Sequence, residues 1–431
     1  MSNEARIPPA AVRRLAGTAV LLLAPRLDDE PRARATLDLA FALQKAGARA
    51  IVASRRGPLV DALHAVGIDW IPLAHDSINP FRLRGNARRL ERLITAERVD
   101  IVHAYSAGGA WSALAATEKL PVWLVTTFPD AVPARFSLRT FYWSALARGD
   151  KVIARSSFVA GPIIQRFGIA RDRVAIVPAA VDADLFDPAT MRPDRVLALR
   201  KSWGVPNGNR IILVPGPLAP SEGQDVLVKA VAMAPRELLQ DVTFVLIGDV
   251  RAHRRYAQAL METAKRHRIA SLFVKPGPCP DWPAALAAAD FVVMPAVTQR
   301  LHGEPVLQSQ AMARPVIASA VGILPEHLLA PPRMPKSLRT GWVVPPGDPQ
   351  ALAETLTEVL SLDLAGYRAL AARARRFAEF MFSPQNVAAS VLRIYNELLE
   401  GGFDALHTQL IPTINPTNAA ATSYLVPRAH H

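Results

Sequence analysis

Short apolar runs alternate with amphipathic segments along most of this 431-residue chain. The segments between the runs, such as Thr36–Ala46 and Asn86–Glu97, place apolar residues at helical spacing and predict amphipathic helices. Alternation of this kind is typical of an α/β fold with an open, doubly wound parallel sheet. The apolar runs of the first half predict buried strands at Ala19–Ala24, Arg49–Ala53, Ile101–Ala104, Trp123–Thr126 and Lys151–Ala154.

The alternation stops at Asp182–Gly208, which is rich in Pro, Asp and Arg, and then restarts. The restart indicates a second doubly wound domain. Its predicted strands are Arg210–Val214, Val242–Ile247, Leu272–Val274, Phe291–Met294 and Pro315–Ala318. Its predicted helices are Asp225–Ala234, Arg255–His267, Ala284–Ala289 and Gln350–Leu360. We therefore expect a domain at 1–188, a second at 189–382, a helix at 383–400 that crosses back to the first, and a mobile tail at 401–431.

Net charge and cysteine content limit the partners and cofactors that we expect for this chain. The net charge of +13 raises the question of nucleic acid or an anionic membrane. The basic residues are scattered through helical segments near acids, without a like-charged run, so we expect no nucleic-acid partner. Cys279 is the single cysteine, and no His or Cys motif has the spacing of metal ligands, so we expect no metal and no cofactor. The apolar run Thr18–Ala24 follows Arg13 and Arg14 in the manner of a signal peptide, but it is too short, and a buried strand is the favoured interpretation. We expect a cytoplasmic protein.

Five strings, in this order along the chain, resemble the retaining glycosyltransferase family four. Singly each string is weak, but their order and spacing are specific, and together they extend to about Glu400. The strings are Asp100–Ala104, Val177–Pro188, Leu213–Leu218 with Glu222–Leu227, Gln310–Ala318 and Gly341–Asp348. The resemblance implies the GT-B architecture, in which two Rossmann-like domains face a central cleft. The N-terminal domain would serve the acceptor and the C-terminal domain the nucleotide sugar.

A nucleotide-sugar site has to hold a diphosphate and stabilise it as it leaves. Backbone N–H groups at Gly-rich turns and helix N-termini bind it, and a Lys and an Arg offset its charge. The positions that match these groups in the family carry other residues here. Glu30 and Pro31 replace a Gly-Gly turn, Pro129 replaces the catalytic-site His, Pro217 the Arg, Glu222 the Lys, and Arg300 and Gln308 the paired Glu residues.

Several residues stay as candidates despite these replacements. Gly216, Gly303 and Glu326 keep the family pattern on the donor side, and Glu304 is a candidate displaced carboxylate. Arg300 is expected on the sugar side of the site, too far away to compensate for the lost Lys and Arg. The acceptor-cleft candidates are Glu30, His103 and Asp130. We treat His103 as a strand-end packing or acceptor-cleft residue rather than a base.

The replacements favour a homologue that has lost catalysis. We expect a non-catalytic partner or scaffold of an intact glycosyltransferase paralogue, in bacterial cell-surface glycan synthesis of the lipopolysaccharide or polysaccharide type. The alternative is an active retaining enzyme that moves a sugar from a nucleotide sugar to a lipid-linked or polysaccharide acceptor. A sugar epimerase on the same fold needs the same diphosphate-binding groups. We expect weak or absent nucleotide-sugar binding, and peripheral contact with the anionic inner membrane face.

Overall fold

The computed structural model describes residues 15–28, 30–128 and 138–400. These residues form two compact units. The first unit lies within Met1–Ala180 and Pro384–Thr408, and the second lies within Val181–Ser383. The chain therefore leaves the first unit once and returns to it with its last described helix.

The first unit is built on a seven-stranded, fully parallel sheet. Its strands are β1 (Ala19–Arg26), β2 (Arg49–Arg55), β3 (Asp69–Pro72), β4 (Ile101–Ala104), β5 (Trp123–Thr127), β6 (Lys151–Ala154) and β7 (Val174–Ile176). They lie in the order β3-β2-β1-β4-β5-β6-β7. Its helices are α1 (Pro31–Lys45), α2 (Val60–Ala65), α3 (Pro80–Glu97), α4 (Ala107–Thr117), α5 (Leu138–Trp143) and α6 (Ser157–Phe167).

Strand β1 shows why this sheet is covered on both faces. Leu21, Leu22 and Leu23 are consecutive and each is fully buried. Successive side chains of a strand point to opposite faces, so Leu22 packs into one hydrophobic cluster while Leu21 and Leu23 pack into another. A parallel sheet with helices on both sides needs apolar residues at every position of its central strands.

The second unit repeats the design with a six-stranded parallel sheet. Its strands are β8 (Arg210–Pro215), β9 (Val242–Ile247), β10 (Phe273–Gly277), β11 (Phe291–Met294), β12 (Val316–Ser319) and β13 (Gly341–Val344), in the order β10-β9-β8-β11-β12-β13. Its helices are α7 (Pro193–Ser202), α8 (Gln224–Met233), α9 (Arg254–Arg266), α10 (Trp282–Ala288), α11 (Glu304–Ala311), α12 (Pro349–Leu360) and α13 (Leu364–Phe382). The predicted fold class, two Rossmann-like α/β domains, is confirmed.

The last described helix, α14 (Pro384–Leu399), belongs to the first unit and packs against α1. Its buried face includes Val391, Leu392 and the fully buried Tyr395. These residues join the same hydrophobic cluster as Leu22 of β1, so the helix completes the core on one face of the first sheet.

Two details differ from the sequence-based expectations. The second unit begins at Val181 rather than after Pro188, because the segment between these residues is hydrogen-bonded and ion-paired to α13. The Val181 N–H donates to the Phe382 carbonyl at 2.7 Å, and Arg375 pairs with Asp187. The segment Asp182–Gly208, interpreted as a break, contains α7, which has no buried residue and therefore no apolar stripe to reveal it. The expected tail at 401–431 lies outside the described residues.

Candidate functional site

The topology of each sheet points to one place for a ligand. In both sheets the strand order reverses beside the first strand, between β1 and β4 in the first unit and between β8 and β11 in the second. Ligands of doubly wound sheets bind at such a switch point, in the crevice beyond the carboxyl ends of the strands. The loops that follow β8 and β11 therefore form the candidate donor site.

The loop after β8 is shaped by two glycines with positive φ. Gly216 has φ 127°, and Gly223, just before α8, has φ 69°. A Cβ atom at Gly223 would lie 1.9 Å from the Pro295 carbonyl oxygen, so only glycine allows this loop to lie against the loop after β11. The Val297 N–H donates to the Ser221 carbonyl at 3.0 Å, which joins the two loops further.

An ion pair links these two loops at the switch point. The Glu222 carboxylate accepts a hydrogen bond from the Arg300 guanidinium through its Oε1 atom. The Glu222 side chain is 7% exposed and that of Arg300 is 25% exposed. A buried carboxylate is costly without a cationic partner, so Arg300 is the group that makes burial of Glu222 tolerable.

The second oxygen of this carboxylate lies against the Gly216 turn. A Cβ atom at Gly216 would be 2.9 Å from Glu222 Oε2. Arg300 is fixed by its backbone as well, because its carbonyl accepts from the Ile323 N–H at 3.0 Å. The expectation that Arg300 lies on the sugar side of the site stays a prediction. The Arg300 guanidinium binds Glu222, the residue at the Lys-equivalent position.

A second pair connects Gln308 of α11 with Trp282 of α10. The indole Nε1 donates to Gln308 Oε1 at 2.7 Å. The Trp282 indole N–H thus satisfies the side-chain carbonyl at one of the two family Glu positions. Asp281 caps α10 by accepting from the Ala284 N–H, and it also pairs with Arg195, whose hydrogen bond lowers the pKa of the Asp281 carboxyl.

The remaining donor-side candidates surround the start of α11. Gly303 is the N-cap residue, and its carbonyl is 3.3 Å from His327 Nδ1. A Cβ atom at Gly303 would be 2.2 Å from that nitrogen, so a side chain at 303 would clash with His327. Glu304 is the first residue of α11, and its carboxylate is 3.9 Å from His302 Nδ1. Glu326 lies in the short 3-10 turn Leu324–His327 after β12.

In the first unit, Glu30 and Pro31 lie at the corresponding switch point, after β1. Glu30 is the N-cap of α1, but its side chain accepts no capping hydrogen bond and is exposed. Pro31 opens the helix, and proline is favoured there because the missing N–H has no partner within a helix. The turn that a Gly-Gly pair makes in the family is thus a plain helix start here.

His103, near the end of β4, belongs to a buried hydrogen-bond network and does not line an exposed surface. Its side chain is 1% exposed, Nδ1 is 2.6 Å from the Tyr395 hydroxyl, and Nε2 is 2.7 Å from Thr127 Oγ1. Tyr105 stacks on the imidazole at 4.2 Å between ring centroids. Burial lowers the pKa of His103 from 6.5 to about 3, so the ring is neutral. With both nitrogens occupied, His103 packs α14 against the sheet, in agreement with the first of its two interpretations, a strand-end packing residue, rather than with the acceptor-cleft alternative.

Pro129 and Asp130 lie outside the described residues. Within residues 15–28, 30–128 and 138–400, no group of three or more His, Cys, Asp or Glu side chains is arranged to hold a metal ion. Sequence reasoning missed the pairing of Glu222 with Arg300 and of Gln308 with Trp282. A signal for the first was present, because two family positions of opposite charge had both changed sign.

Two family models match the chain in tandem. Glycosyltransferase Family 4 matches residues 33–185, and Glycosyl transferases group 1 matches residues 209–362. Among curated proteins, the D-inositol 3-phosphate glycosyltransferase of Salinispora arenicola is 28% identical over 263 residues, which are 58% of this chain and 56% of the relative. That of Xylanimonas cellulosilytica is 30% identical over 260 residues, 58% of this chain and 57% of the relative. The match thus spans little more than half the length of these relatives.

Solved structures agree over a larger part of the chain. A glycosyltransferase from Rickettsia africae is 26% identical with a TM-score of 0.71, over 89% of this chain and 99% of that one. Anabaena HepE in complex with UDP is 20% identical with a TM-score of 0.65, over 88% of this chain and 100% of that one, a likeness of fold. Both family models and these likenesses show that the chain belongs to the GT-B glycosyltransferases, with a Family 4 domain followed by a group 1 domain.

Proposed function

We propose that this chain is a non-catalytic glycosyltransferase homologue that acts as a partner or scaffold of an intact homologue in bacterial cell-surface glycan synthesis. The observation that carries the proposal is the ion pair between Glu222 and Arg300 at the switch point of the second sheet. The position that supplies a cation to the diphosphate in the family supplies a buried carboxylate here.

Electrostatics argue against a diphosphate at this turn. Two unit charges about 4 Å apart interact by roughly 4 kcal/mol at an effective dielectric near 20. Glu222 Oε2 lies against Gly216, the turn where a diphosphate would approach the backbone, and Pro217 adds no charge. Arg300 does not offset this repulsion freely, because moving it to a phosphate would leave Glu222 buried without its partner.

The same replacements remove transition-state stabilisation. The leaving diphosphate gains charge as the bond to the sugar breaks, and preorganised cations stabilise that charge. Loss of one such group costs on the order of a hundredfold or more in rate. Losses at one site are not additive, but Pro129, Pro217, Glu222, Arg300 and Gln308 together replace the family's His, Arg, Lys and paired Glu side chains.

A partner role is supported by what the chain has kept. Both sheets, the close loop contact at Gly223 and the buried network of His103 are present, although the family's His, Arg, Lys and paired Glu residues are replaced. A fold maintained in this way still offers surfaces for binding. We expect the chain to copurify with an intact paralogue encoded in the same genome. A chain that stays monomeric when the two are co-expressed argues against the partner role.

The alternative function is an active retaining glycosyltransferase, and one observation favours it. Glu304 stands at the start of α11 beside the retained Gly303, with His302 near its carboxylate. If Glu304 binds the donor sugar, the variant Glu304→Gln loses turnover that the unaltered chain displays.

The experiment that tests non-catalysis is a turnover assay of the purified chain with UDP-, GDP- and ADP-sugars. We expect neither transfer nor hydrolysis above the buffer control. The charge-inverted variant Pro217→Arg, Glu222→Lys, Arg300→Glu is the matched comparison, because it keeps an opposite-charge pair while restoring the family's signs. Turnover of about 1 per second by the unaltered chain contradicts the proposal.

A further inference from the structure

Helix α13 of the second unit has an exposed face that carries arginines and a leucine. The inner face of this helix is buried through Leu370, Ala371, Ala374, Ala378 and Phe382. The opposite face is exposed at every position, and its residues recur at helical spacing: Leu364, Ala365, Arg368, Ala369, Ala372 and Arg376. We call these six residues the α13 face. Leu364 is 62% exposed, so the face leaves apolar area in water as well as charge.

The arginines of the α13 face have no acidic partner among the described residues. Arg376 donates to the Ala372 carbonyl of its own helix at 3.4 Å, and Arg368 forms no ion pair with any described residue. A third arginine lies beside them, because Arg373 donates to the Arg339 carbonyl at 2.6 Å. Burial lowers the pKa of Arg373, and the nearby Arg339 and Arg376 cations lower it further. Like charges held this close repel each other, so an anionic partner would stabilise them.

Three acids on or near α13 are already bonded and do not neutralise these arginines. Asp363 caps the start of the helix. Glu379 is paired with Arg375 at 2.8 Å, and Glu358 is paired with Arg339 at 2.6 Å. The positive charge of the α13 face therefore remains to be matched by another molecule.

The occupant of this face is not this chain itself. In a two-fold dimer the same patch meets itself, so Arg368 and Arg376 would face their own copies. The terminal segments outside the described residues, 1–14 and 401–431, contain one acid each, Glu4 and Asp404. Neither a second copy nor a terminal segment supplies the negative charge that the face requires.

A lipid bilayer matches the α13 face poorly. Among the described residues, no helix is long and apolar enough to cross a membrane. Peripheral binding by a helix needs several large apolar side chains to insert, whereas this face offers Leu364 with three alanines. Alanines suit a protein helix better, because short side chains at a contact let two helix axes approach closely.

We propose that the α13 face docks an acidic amphipathic helix of the intact homologue, an inference that rests on the partner role proposed above. Carboxylates of that helix bind Arg368 and Arg376, and guanidinium–carboxylate pairs of this kind are directional and strong. An apolar side chain of the partner covers Leu364. Exclusion of water around the contact strengthens the ion pairs, as in the buried centre of other protein interfaces.

The test is titration calorimetry of the purified full chain with the intact paralogue encoded in the same genome, at low salt. Loss of one arginine pair costs about fivefold in affinity, so Arg368→Gln with Arg376→Gln should weaken binding by about 25-fold. The matched control is Arg255→Gln with Arg266→Gln, which removes two exposed arginines from α9 of the same unit and should change affinity by less than about twofold. All four arginines are exposed, so the variants should keep the stability of the unaltered chain.

The apolar contact has its own matched pair. Leu364→Ser should weaken binding by about tenfold, because the partner no longer covers a leucine. Leu197→Ser, at a position 64% exposed on α7, should leave the affinity unchanged.

The outcomes separate this inference from the partner role on which it rests. If the paralogue binds the unaltered chain and the α13 arginine variant equally well, the partner role stands and the docking site is overturned. Equal losses from the α13 and α9 variants would overturn it too, because net charge alone would then explain the binding. A paralogue that does not bind the unaltered chain would overturn both.

Discussion

The loops that follow β1 and β8 occupy equivalent places in their sheets, yet one exposes its glutamate to water and the other buries it. Both loops end at a helix start, and both carry a carboxylate where the family has Gly or Lys, at Glu30 and Glu222. Glu30 is exposed to water, whereas Glu222 is buried and bound to Arg300. A surface charge is solvated wherever it falls, but a buried one needs a partner. The second site therefore departs from the family pattern at two positions that pair with each other, and its charged groups hold two loops together.

The largest expected effect comes from breaking the buried pair. Arg300→Gln leaves the Glu222 carboxylate buried without its cation, so it should lower the free energy of unfolding by about 3 kcal/mol. Chemical denaturation of the second unit's transition measures this. The double variant Glu222→Gln, Arg300→Gln should recover part of the loss, because two neutral amides can bond each other. A single variant as stable as the unaltered chain would show that the pair contributes nothing.

The next effect concerns the first unit and its pH dependence. Burial lowers the pKa of His103 to about 3, against 6.5 for the ordinary side chain. The unfolded chain takes up a proton below pH 6.5 that the folded chain does not. The stability associated with neutral His103 is thus complete above that pH and lost as the pH falls toward 3.

At pH 5 the loss should be about 2 kcal/mol relative to pH 7. His103→Asn removes the titration, so its stability should fall less steeply between these pH values. Tyr395→Phe is the matched control, because it removes one hydrogen bond and keeps the imidazole buried. The control should be less stable at every pH but retain the steep dependence. An unchanged pH slope in the Asn variant would contradict the neutral, buried state.

A smaller effect is expected at the pair between Trp282 and Gln308. Trp282→Phe keeps an aromatic ring and removes the indole donor, so Gln308 Oε1 loses its partner. We expect a loss of about 1 kcal/mol in unfolding free energy, measured by denaturation. Gln308→Glu should raise the apparent strength of that bond, because the acceptor becomes charged. A Phe variant of unchanged stability would indicate that water replaces the indole without cost.

The smallest change in stability is expected at Glu30, the exposed glutamate of the first unit. Glu30→Gln should change the unfolding free energy by less than about 0.5 kcal/mol, because the side chain is exposed and makes no cap. The losses in unfolding free energy caused by Glu30→Gln and by Arg300→Gln, measured under the same conditions, compare the two loops directly. A large loss at Glu30 would mean that its charge also has a structural partner.

Sequence patterns predicted much of the fold because apolar runs of buried parallel strands are hard to mistake. The predicted strands at Ile101–Ala104 and Phe291–Met294 have the observed bounds. The edge strands β3, β7 and β13 were not predicted. Strands β3 and β7 are only partly buried and are four and three residues long, and β13 begins with a glycine that shortens its apolar run. The site was harder, because Glu222 and Arg300 are 78 positions apart and only the packing of two loops brings them together. The sequence showed that the family's Lys and Glu are replaced at these two positions, but it did not show that Glu222 and Arg300 are in contact.

The central claim is that the second unit has exchanged a diphosphate-binding turn for an internal ion pair. Titration calorimetry with UDP, GDP and ADP tests it most directly. For the unaltered chain we predict dissociation constants in the millimolar range or weaker. The variant Pro217→Arg, Glu222→Lys, Arg300→Glu, which keeps a pair of opposite charges and returns cations to the turn, should bind at least about tenfold more tightly, equivalent to ~1.4 kcal/mol. A dissociation constant of about 10 μM or tighter for any of the three nucleotides on the unaltered chain would contradict the claim.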